Sequence, residues 1–232
     1  MSLRVPAGCR PGSERKGQSG FTDSVEEYIE GIFRLQSEVD LVSTGEVATY
    51  MSVSAGSATT MIKKLADLGL AYHEPYQGIR LSPSGQRIAK RLIRAHRIIE
   101  VFLTKTLNLE WHEVHDLACK LEHYVSDEVI DRMYLACGKP LVCPHGSPID
   151  VDAPCNDFRL SEVEPGESVV VKRVTDERTE FLAYLASVGL TLNTKVKVDS
   201  FSPIDTVLHL EVKGKKVSVG NEVARHVWVD WG

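Results

Sequence analysis

The first two thirds of the chain space their apolar residues as helices do, and the last third alternates them. In 23–37, Val25, Tyr28, Ile29, Ile32 and Phe33 fall at i, i+3, i+4, i+7 and i+8, one buried stripe on an amphipathic helix. Asp23 or Ser24 can cap it, with Glu26 and Glu27 three residues on. A short helix follows over 44–51, capped by Ser43 or Thr44, and then a turn over 52–56. The next helix covers 57–68, with Ala58, Met61, Ile62, Leu65 and Leu68 inward and Gly69 at its C′ position. Two short strands, 70–73 and 79–81, flank a turn at 75–78 where Gly78 supplies the reversal. Helix, helix, turn, helix and two-stranded wing is the winged form of the helix-turn-helix.

Ser82 then caps a long helix with Pro83 at its first position, running to about 107. Its Leu92, Ile93, Ile98, Ile99, Phe102 and Leu103 cover more than one face. That fits burial on two sides, as in a dimer interface, or packing inside one subunit. Further helices are expected over 111–124 and 126–138. Pro140, Pro144, Pro148, Pro154 and Pro165 mark a linker, and beyond it the period changes to two. Strands are expected over 168–174, 195–201, 207–212, 216–219 and 226–231, with one helix over 180–188. The predicted fold class is a mainly α N-terminal winged helix-turn-helix plus a helical dimerisation domain, followed by a small all-β barrel domain. The expected limits are a disordered Gly-, Ser- and Arg-rich tail 1–22, a DNA-binding domain 23–90, a helical metal-binding domain 91–140, a linker 141–166 and the barrel 167–232.

Composition narrows the function classes. No stretch has the roughly 18 uncharged apolar residues of a membrane span, and the first 20 residues have no apolar core of an export signal. Five irregularly spaced cysteines (9, 119, 137, 143, 155) argue against a disulfide framework and for a reducing cytoplasm, where thiols can ligate metal. The net charge of −5 argues against nucleic acid, but residues 51–99 hold eight Lys/Arg against two acidic residues, a local charge of +6. That basic field coincides with the winged motif. The candidate DNA-contacting residues are Ser54 in the turn, Ser57, Thr59, Thr60, Lys63 and Lys64 on the recognition helix, and Arg80 on the wing.

A second pattern is chemical. On one helix, His115, Cys119, Glu122 and His123 stand at i, i+4, i+7 and i+8, within an arc of roughly 100° at about 100° per residue. Imidazole, thiolate and carboxylate therefore share a face. The preceding helix offers His96 and Glu100 at i, i+4, and the first helix offers Glu27 and Glu30, with Glu27 on the side away from its apolar stripe. Mixed N, O and S donors suit Mn, Fe, Co, Ni or Zn rather than Ca or Mg.

The stretches SVEEYIEGIFRL, SATTMIKKLADLGL, LSPSGQRIAKRLIRAHRIIEVFL, VHDLACKLEHYVSDEV and CPHGSPI resemble the diphtheria toxin repressor family of metal-dependent transcriptional repressors, which includes iron-dependent and manganese transport regulators. FLAYLASVGLTLNTKVKV resembles the SH3-like C-terminal domain of its longer members. The resemblance covers about 23–232. It implies a homodimer on palindromic double-stranded operator DNA, repression of metal-uptake genes, and Mn(II) or Fe(II) at two sites per subunit. The primary site would use Glu27, Cys119, Glu122 and His123. Iron-type proteins have Met where this chain has Glu27 and Cys at the position of Cys119; manganese-type proteins have carboxylates at both, so this chain is a hybrid. Glu30 matches a manganese-type ligand. The ancillary site would use His96, Glu100 and His115, with Glu177 and Glu180 as candidate donors from the SH3-like domain.

Two other classes compete on the residues alone. Open metal sites can hydrolyse, but HExxH is absent (the near match is HEVH, His112–His115), as is GxSxG. A metal storage or chaperone module would need neither the wing nor its basic field. A separate zinc knuckle of Cys143, His145 and Cys155 competes with a plain ordered linker. If the basic helix meets phosphates, Lys63→Ala or Lys64→Ala weakens binding to every DNA sequence. Each lost contact then flattens the dependence of log K on log salt by about one unit, read by titration at several salt concentrations.

Overall fold

The computed structural model describes residues 20–37, 39–74, 77–204 and 206–232. Most of the expected tail, with Cys9, and part of the wing turn lie outside them. The chain forms two compact units: one of residues up to 102 together with 116–139, the other of 103–115 together with 140–232. No helix among the described residues is long and apolar enough to cross a membrane.

The first unit opens with α1 (Asp23–Leu35), α2 (Thr44–Tyr50) and α3 (Ala55–Asp67), then the wing strands β1 (Ala71–Glu74) and β2 (Gly78–Leu81). Local chemistry sets these limits. Ser43 and Glu46 form a reciprocal capping box at α2, with Glu46 N donating to Ser43 Oγ at 3.1 Å and Ser43 N to Glu46 Oε2 at 2.7 Å. Caps of this kind contribute about 1 kcal/mol. Ser54 caps α3 by accepting from Ser57 N. The strands pair antiparallel from Ala71 opposite Leu81 to Glu74 opposite Gly78. Val25, Ile29 and Ile32 of α1 pack with Ile62 and Leu65 of α3 and with Ile79 of the wing in one buried core. Phe21 packs against that core and Thr22 is the N-cap of α1, so the folded chain begins before 23. Asp23 does not cap α1; its carboxylate accepts from the Tyr124 hydroxyl instead.

Helix α4 (Pro83–Leu107) runs on from the wing, followed by α5 (His115–Leu121) and α6 (Asp127–Ala136). Leu92, Ile93, Ile98 and Ile99 are all buried within the single chain. They therefore belong to subunit packing, which corrects the reading of α4 as a two-sided dimer surface. The helix expected over 111–124 is shorter, because Glu113 N donates to Glu110 O and Glu110 N to the Glu113 carboxylate, closing a separate turn before α5. Glu122 and His123 lie in the turn just after α5, so the four donors do not share one regular helix.

The second unit contains β3 (Phe158–Arg159), β4 (Ser168–Val174), α7 (Thr179–Val188), β5 (Lys195–Ser202), β6 (Val207–Val212), β7 (Lys215–Gly220), α8 (Asn221–Ala224) and β8 (Val227–Trp231). The strands form one antiparallel sheet in the order β3-β8-β4-β5-β6-β7. Its inward Val169, Val171, Val196, Val198, Leu208 and Leu210 pack with Leu182 and Leu185 of α7. The segment expected as a linker is not loose: Cys143, His145, Ile149, Leu160 and Val163 are buried, and Val174 N donates to His145 O. Its prolines break regular structure without preventing packing.

Gly85 sits at the junction of wing and α4, where a Cβ would stand 2.2 Å from the Leu70 carbonyl oxygen. Backbone cannot yield cheaply there. Gly85→Ala is expected to destabilise the chain by about 1–3 kcal/mol, the usual cost of overpacking, seen as a lower thermal midpoint. An unchanged midpoint would show that the junction has slack.

Candidate functional site

The nucleic-acid candidates gather around α3. Ser57, Thr60, Lys63 and Lys64 are exposed and Thr59 is half-buried. An open groove of about 640 Å³ is lined by Ser24, Tyr28, Ser54, Ser57, Thr60 and Lys64, among others. Thr59 Oγ1 donates to Ala55 O at 2.7 Å and Thr60 Oγ1 to Gly56 O at 2.9 Å. Their protons are used inside the helix, so outward they offer lone pairs and methyl groups, not donors to phosphate. Donation from this surface falls to Lys63, Lys64, backbone N–H groups at the start of α3 and Arg80, whose guanidinium lies over the Tyr72 ring at 5.3 Å.

The first unit also buries a dense set of charges. Glu26, His96, Glu100, Glu122 and His123 are all at most 3% exposed. His123 Nδ1 lies 2.6 Å from Glu26 Oε2, and Arg91 is 3.6 Å from the other Glu26 oxygen. His96 is held on both ring nitrogens, Nδ1 by Glu122 Oε2 at 2.6 Å and Nε2 by Glu100 Oε1 at 2.9 Å. Arg34 takes Glu30 Oε1 at 2.8 Å. Glu27 Oε2 is buried without a hydrogen-bond partner among the described residues.

Carboxylates outnumber cations here, and proton affinities show it. Burial pushes the Glu27 carboxyl up to about 7, with Glu30, Glu122 and Asp23 adding to the rise against the attraction of His123. Burial and the neighbouring Glu30 raise Glu122 to about 7 despite His96 and His123. Burial opposes charge on His123, yet its bond to Glu26 and the fields of Glu122, Glu26 and Glu30 carry it up to about 9. His96 likewise overcomes burial through Glu100 and Glu122 and is raised well above its ordinary value. At Glu30 burial is outweighed by Arg34 and then His96, and its carboxyl is held below the usual value.

The expected primary ligands are not drawn into one set. Among the described residues, Glu27, Cys119, Glu122 and His123 form no group with ligand atoms within 4.8 Å of one another. Glu122 faces His96, and His123 faces Glu26. Cys119 is buried, and Cys137, Cys143 and Cys155 are free thiols. In the second unit, His115 Nδ1 lies 3.1 Å and His145 Nδ1 3.7 Å from the Glu177 carboxylate. Cys143, His145 and Glu177 are buried and bring one donor atom each within 4.8 Å of the others. Glu180 is exposed and joins none of these groups, and neither does the exposed Cys155, so the knuckle of Cys143, His145 and Cys155 does not form.

Three family descriptions match in succession: iron dependent repressor, N-terminal DNA binding domain, over 20–79; iron dependent repressor, metal binding and dimerisation domain, over 82–150; and FeoA domain, over 158–230. A solved structure described as a manganese-dependent transcriptional repressor in complex with manganese aligns with a TM-score of 0.82 at 32% identity, over 90% of this chain and 100% of that one. The chain belongs to the diphtheria toxin repressor family. The repressor is 26% identical to the diphtheria toxin repressor of Corynebacterium efficiens over 222 residues, 90% of this chain and 95% of that one. It is 36% identical to an uncharacterised helix-turn-helix-type transcriptional regulator of Methanocaldococcus jannaschii over 113 residues, 48% of this chain and 90% of that one. The family consists of DNA-binding repressors, not enzymes, which sets aside the hydrolase and storage readings.

Sequence reasoning passed over Glu26 and treated Cys143 and His145 as a minor possibility. Glu26 was legible in part: it stands seven residues before Phe33, at the edge of the apolar stripe of α1, where a carboxylate must be paired. The pairing of Cys143 and His145 with Glu177 had no local signal.

The raised values set a pH dependence for the repressor without metal. A folded-state pKa above the unfolded one gives stability that is complete below the unfolded value and is lost as pH rises through the folded one. Glu27 and Glu122 therefore cost stability as pH rises from 4.5 to about 7, and His123 as it rises from 6.5 to about 9. The metal-free melting temperature is expected to fall between pH 5 and 9, and less steeply in a Glu27→Gln variant, as scanning calorimetry at several pH values would show. A midpoint rising over that range would contradict the assignment.

Proposed function

We propose that this metal-dependent DNA-binding repressor works as a homodimer on palindromic operator DNA in the cytoplasm, controls metal-uptake genes and holds Mn(II) or Fe(II) at two sites per subunit. One observation carries the metal reading: Glu27 and Glu122 are buried carboxyls pushed to about 7, one with an unpartnered oxygen, in a cluster short of positive charge. A divalent cation, when bound, supplies the charge that protons and imidazolium ions otherwise provide. The donor set fits such an ion. Glu27, Glu122, His123 and Cys119 would hold it, with Glu30 beside them. Glu26 keeps a protonated His123 in reserve, and His96 does the same for Glu122. Carboxylates dominate the set, which favours Mn(II) over Fe(II).

The second site draws on Cys143, His145 and Glu177, with His115 against Glu177. His96 and Glu100 are further donors assigned by the family resemblance. Glu27 belongs to the first helix of the DNA-binding part, 23–90, whereas Glu122 and His123 follow α5 in the helical part, 91–140. Donors from both tie the setting of the recognition helix to the helices that form the dimer. Two recognition helices must meet half-sites about one helical turn apart, or a multiple of that, so a change in this setting decides binding. Leu117, Leu121, Tyr124, Val129 and Leu135 on and around α5 and α6 are exposed and suit contact with a second copy.

The test is an anaerobic pull-down of genomic fragments with metal-free, Mn(II)-loaded and Fe(II)-loaded protein, alongside Glu27→Ala. A few palindromic fragments are expected only with metal, and Glu27→Ala is expected to stay folded and lose that dependence. Equal enrichment in all samples would remove the switch, and unchanged metal dependence in Glu27→Ala would sink the bridging role.

A further inference from the structure

The solvent side of the β5–β6–β7 sheet carries a concentrated positive charge that the metal switch and the winged helix do not use. Lys195 and Lys197 on β5 are exposed, alternating with buried Val196 and Val198. Lys197 pairs across to Glu211, and Glu211 to Lys216. Lys213 and Lys215 flank Gly214 in the adjoining turn, and both are exposed. Lys195, Lys197 and Lys216 stand on the outward side with Glu211, half-buried Asp199 occupies the bulge of β5, and Lys215 takes the opposite side, across from buried Val212; none of the five lysines forms an ion pair among the described residues. Glu167, next to Ser168 opposite Lys197, is turned to the Glu164 backbone N–H at 3.1 Å.

Composition does not account for this. Residues 140–232 hold ten Lys/Arg against fourteen Asp/Glu, yet five of the ten fall between 195 and 216. Protection of a sheet edge does not account for it either. Lysines commonly guard edge strands, and β7 is an edge, but β5 is an interior strand between β4 and β6. The cluster is made of lysine, a point charge, and not of arginine, whose planar fork reads a single carboxylate or phosphate. No Phe, Tyr or Trp stands on the outward row beside these lysines for a base to stack on; Phe201 of β5 lies on the side of buried Leu208. A flat field of point charges without stacking groups suits a repeating polyanion contacted without regard to sequence.

We propose that this face, formed by Lys195, Lys197 and Lys216 with Lys213 in the adjoining turn, makes a second, sequence-independent contact with the phosphate backbone of double-stranded DNA. The inference rests on the repressor reading. Such a contact raises affinity through effective concentration once the winged helix is engaged, and adds no base readout.

The experiment uses the full chain loaded with Mn(II) and a long duplex of mixed sequence, with log K measured against log salt. Wild type is compared with a Lys195→Gln/Lys197→Gln/Lys216→Gln variant and, separately, with Lys63→Gln/Lys64→Gln. The triple variant is expected to melt as wild type does and to lower the magnitude of the salt slope by about 0.9 for each lysine that meets a phosphate. An unchanged slope and affinity in the triple variant, with the Lys63/Lys64 variant weakened, overturns the second contact and leaves the repressor reading standing. Failure of wild type to bind any duplex overturns both. Retention on immobilised poly-L-glutamate that the triple variant loses, with its DNA binding intact, overturns the proposal in favour of an acidic protein segment.

Discussion

The first unit is organised around a shortage of positive charge. Glu26, Glu27, Glu30, Glu100 and Glu122 share a small region with His96, His123, Arg34 and Arg91, and most of these groups are closed off from water. Buried carboxylates that lack a cation recover neutrality by holding protons, and Glu27 and Glu122 do so near neutral pH. The imidazoles move the other way and keep their protons. The stability of this unit is thus tied to one electrostatic balance, which protons on Glu27, Glu122 and the imidazoles complete.

Around this cluster the rest of the first unit is ordinary. Apolar packing of α1 on α3 and the wing holds the recognition helix, capping at Ser54 fixes where it begins, and capping at Ser43 fixes where α2 begins. The recognition helix spends its Thr59 and Thr60 protons on its own carbonyls. That leaves a surface of methyl groups, lone pairs and lysines, better suited to shape and phosphate contacts than to forked recognition of single bases. Leu117, Leu121, Tyr124, Val129 and Leu135 are exposed around α5 and α6, consistent with the dimerisation domain matched over 82–150.

The second unit combines an antiparallel sheet with a buried trio of Cys143, His145 and Glu177. Two of the three come from the proline-bearing stretch before the sheet. That stretch packs because its few apolar residues and backbone groups find partners, as where Val174 N meets His145 O. A segment rich in proline is thereby made a rigid carrier of donors.

Periodicity alone determined most of the elements. The stripe of α1, the Ser82–Pro83 start and end of α4, and the alternating strands β4 and β6 were all legible, because each depends on local spacing that burial on one face enforces. β3 and α8 were not, being too short to show a period. The chemistry followed the same division. Residue types and spacing singled out His115, Cys119, Glu122 and His123 as one stripe, with His96 and Glu100 and with Glu27 and Glu30 as supporting pairs. Only the folded chain decided that His123 faces Glu26, that Glu122 faces His96, and that Glu177 meets His115 and His145 while Glu180 stays in water. Spacing along a helix fixes which side chains can share a face. Which partner a buried charge takes depends on what packing across the unit brings within about 3 Å, and on which groups lose their water in doing so.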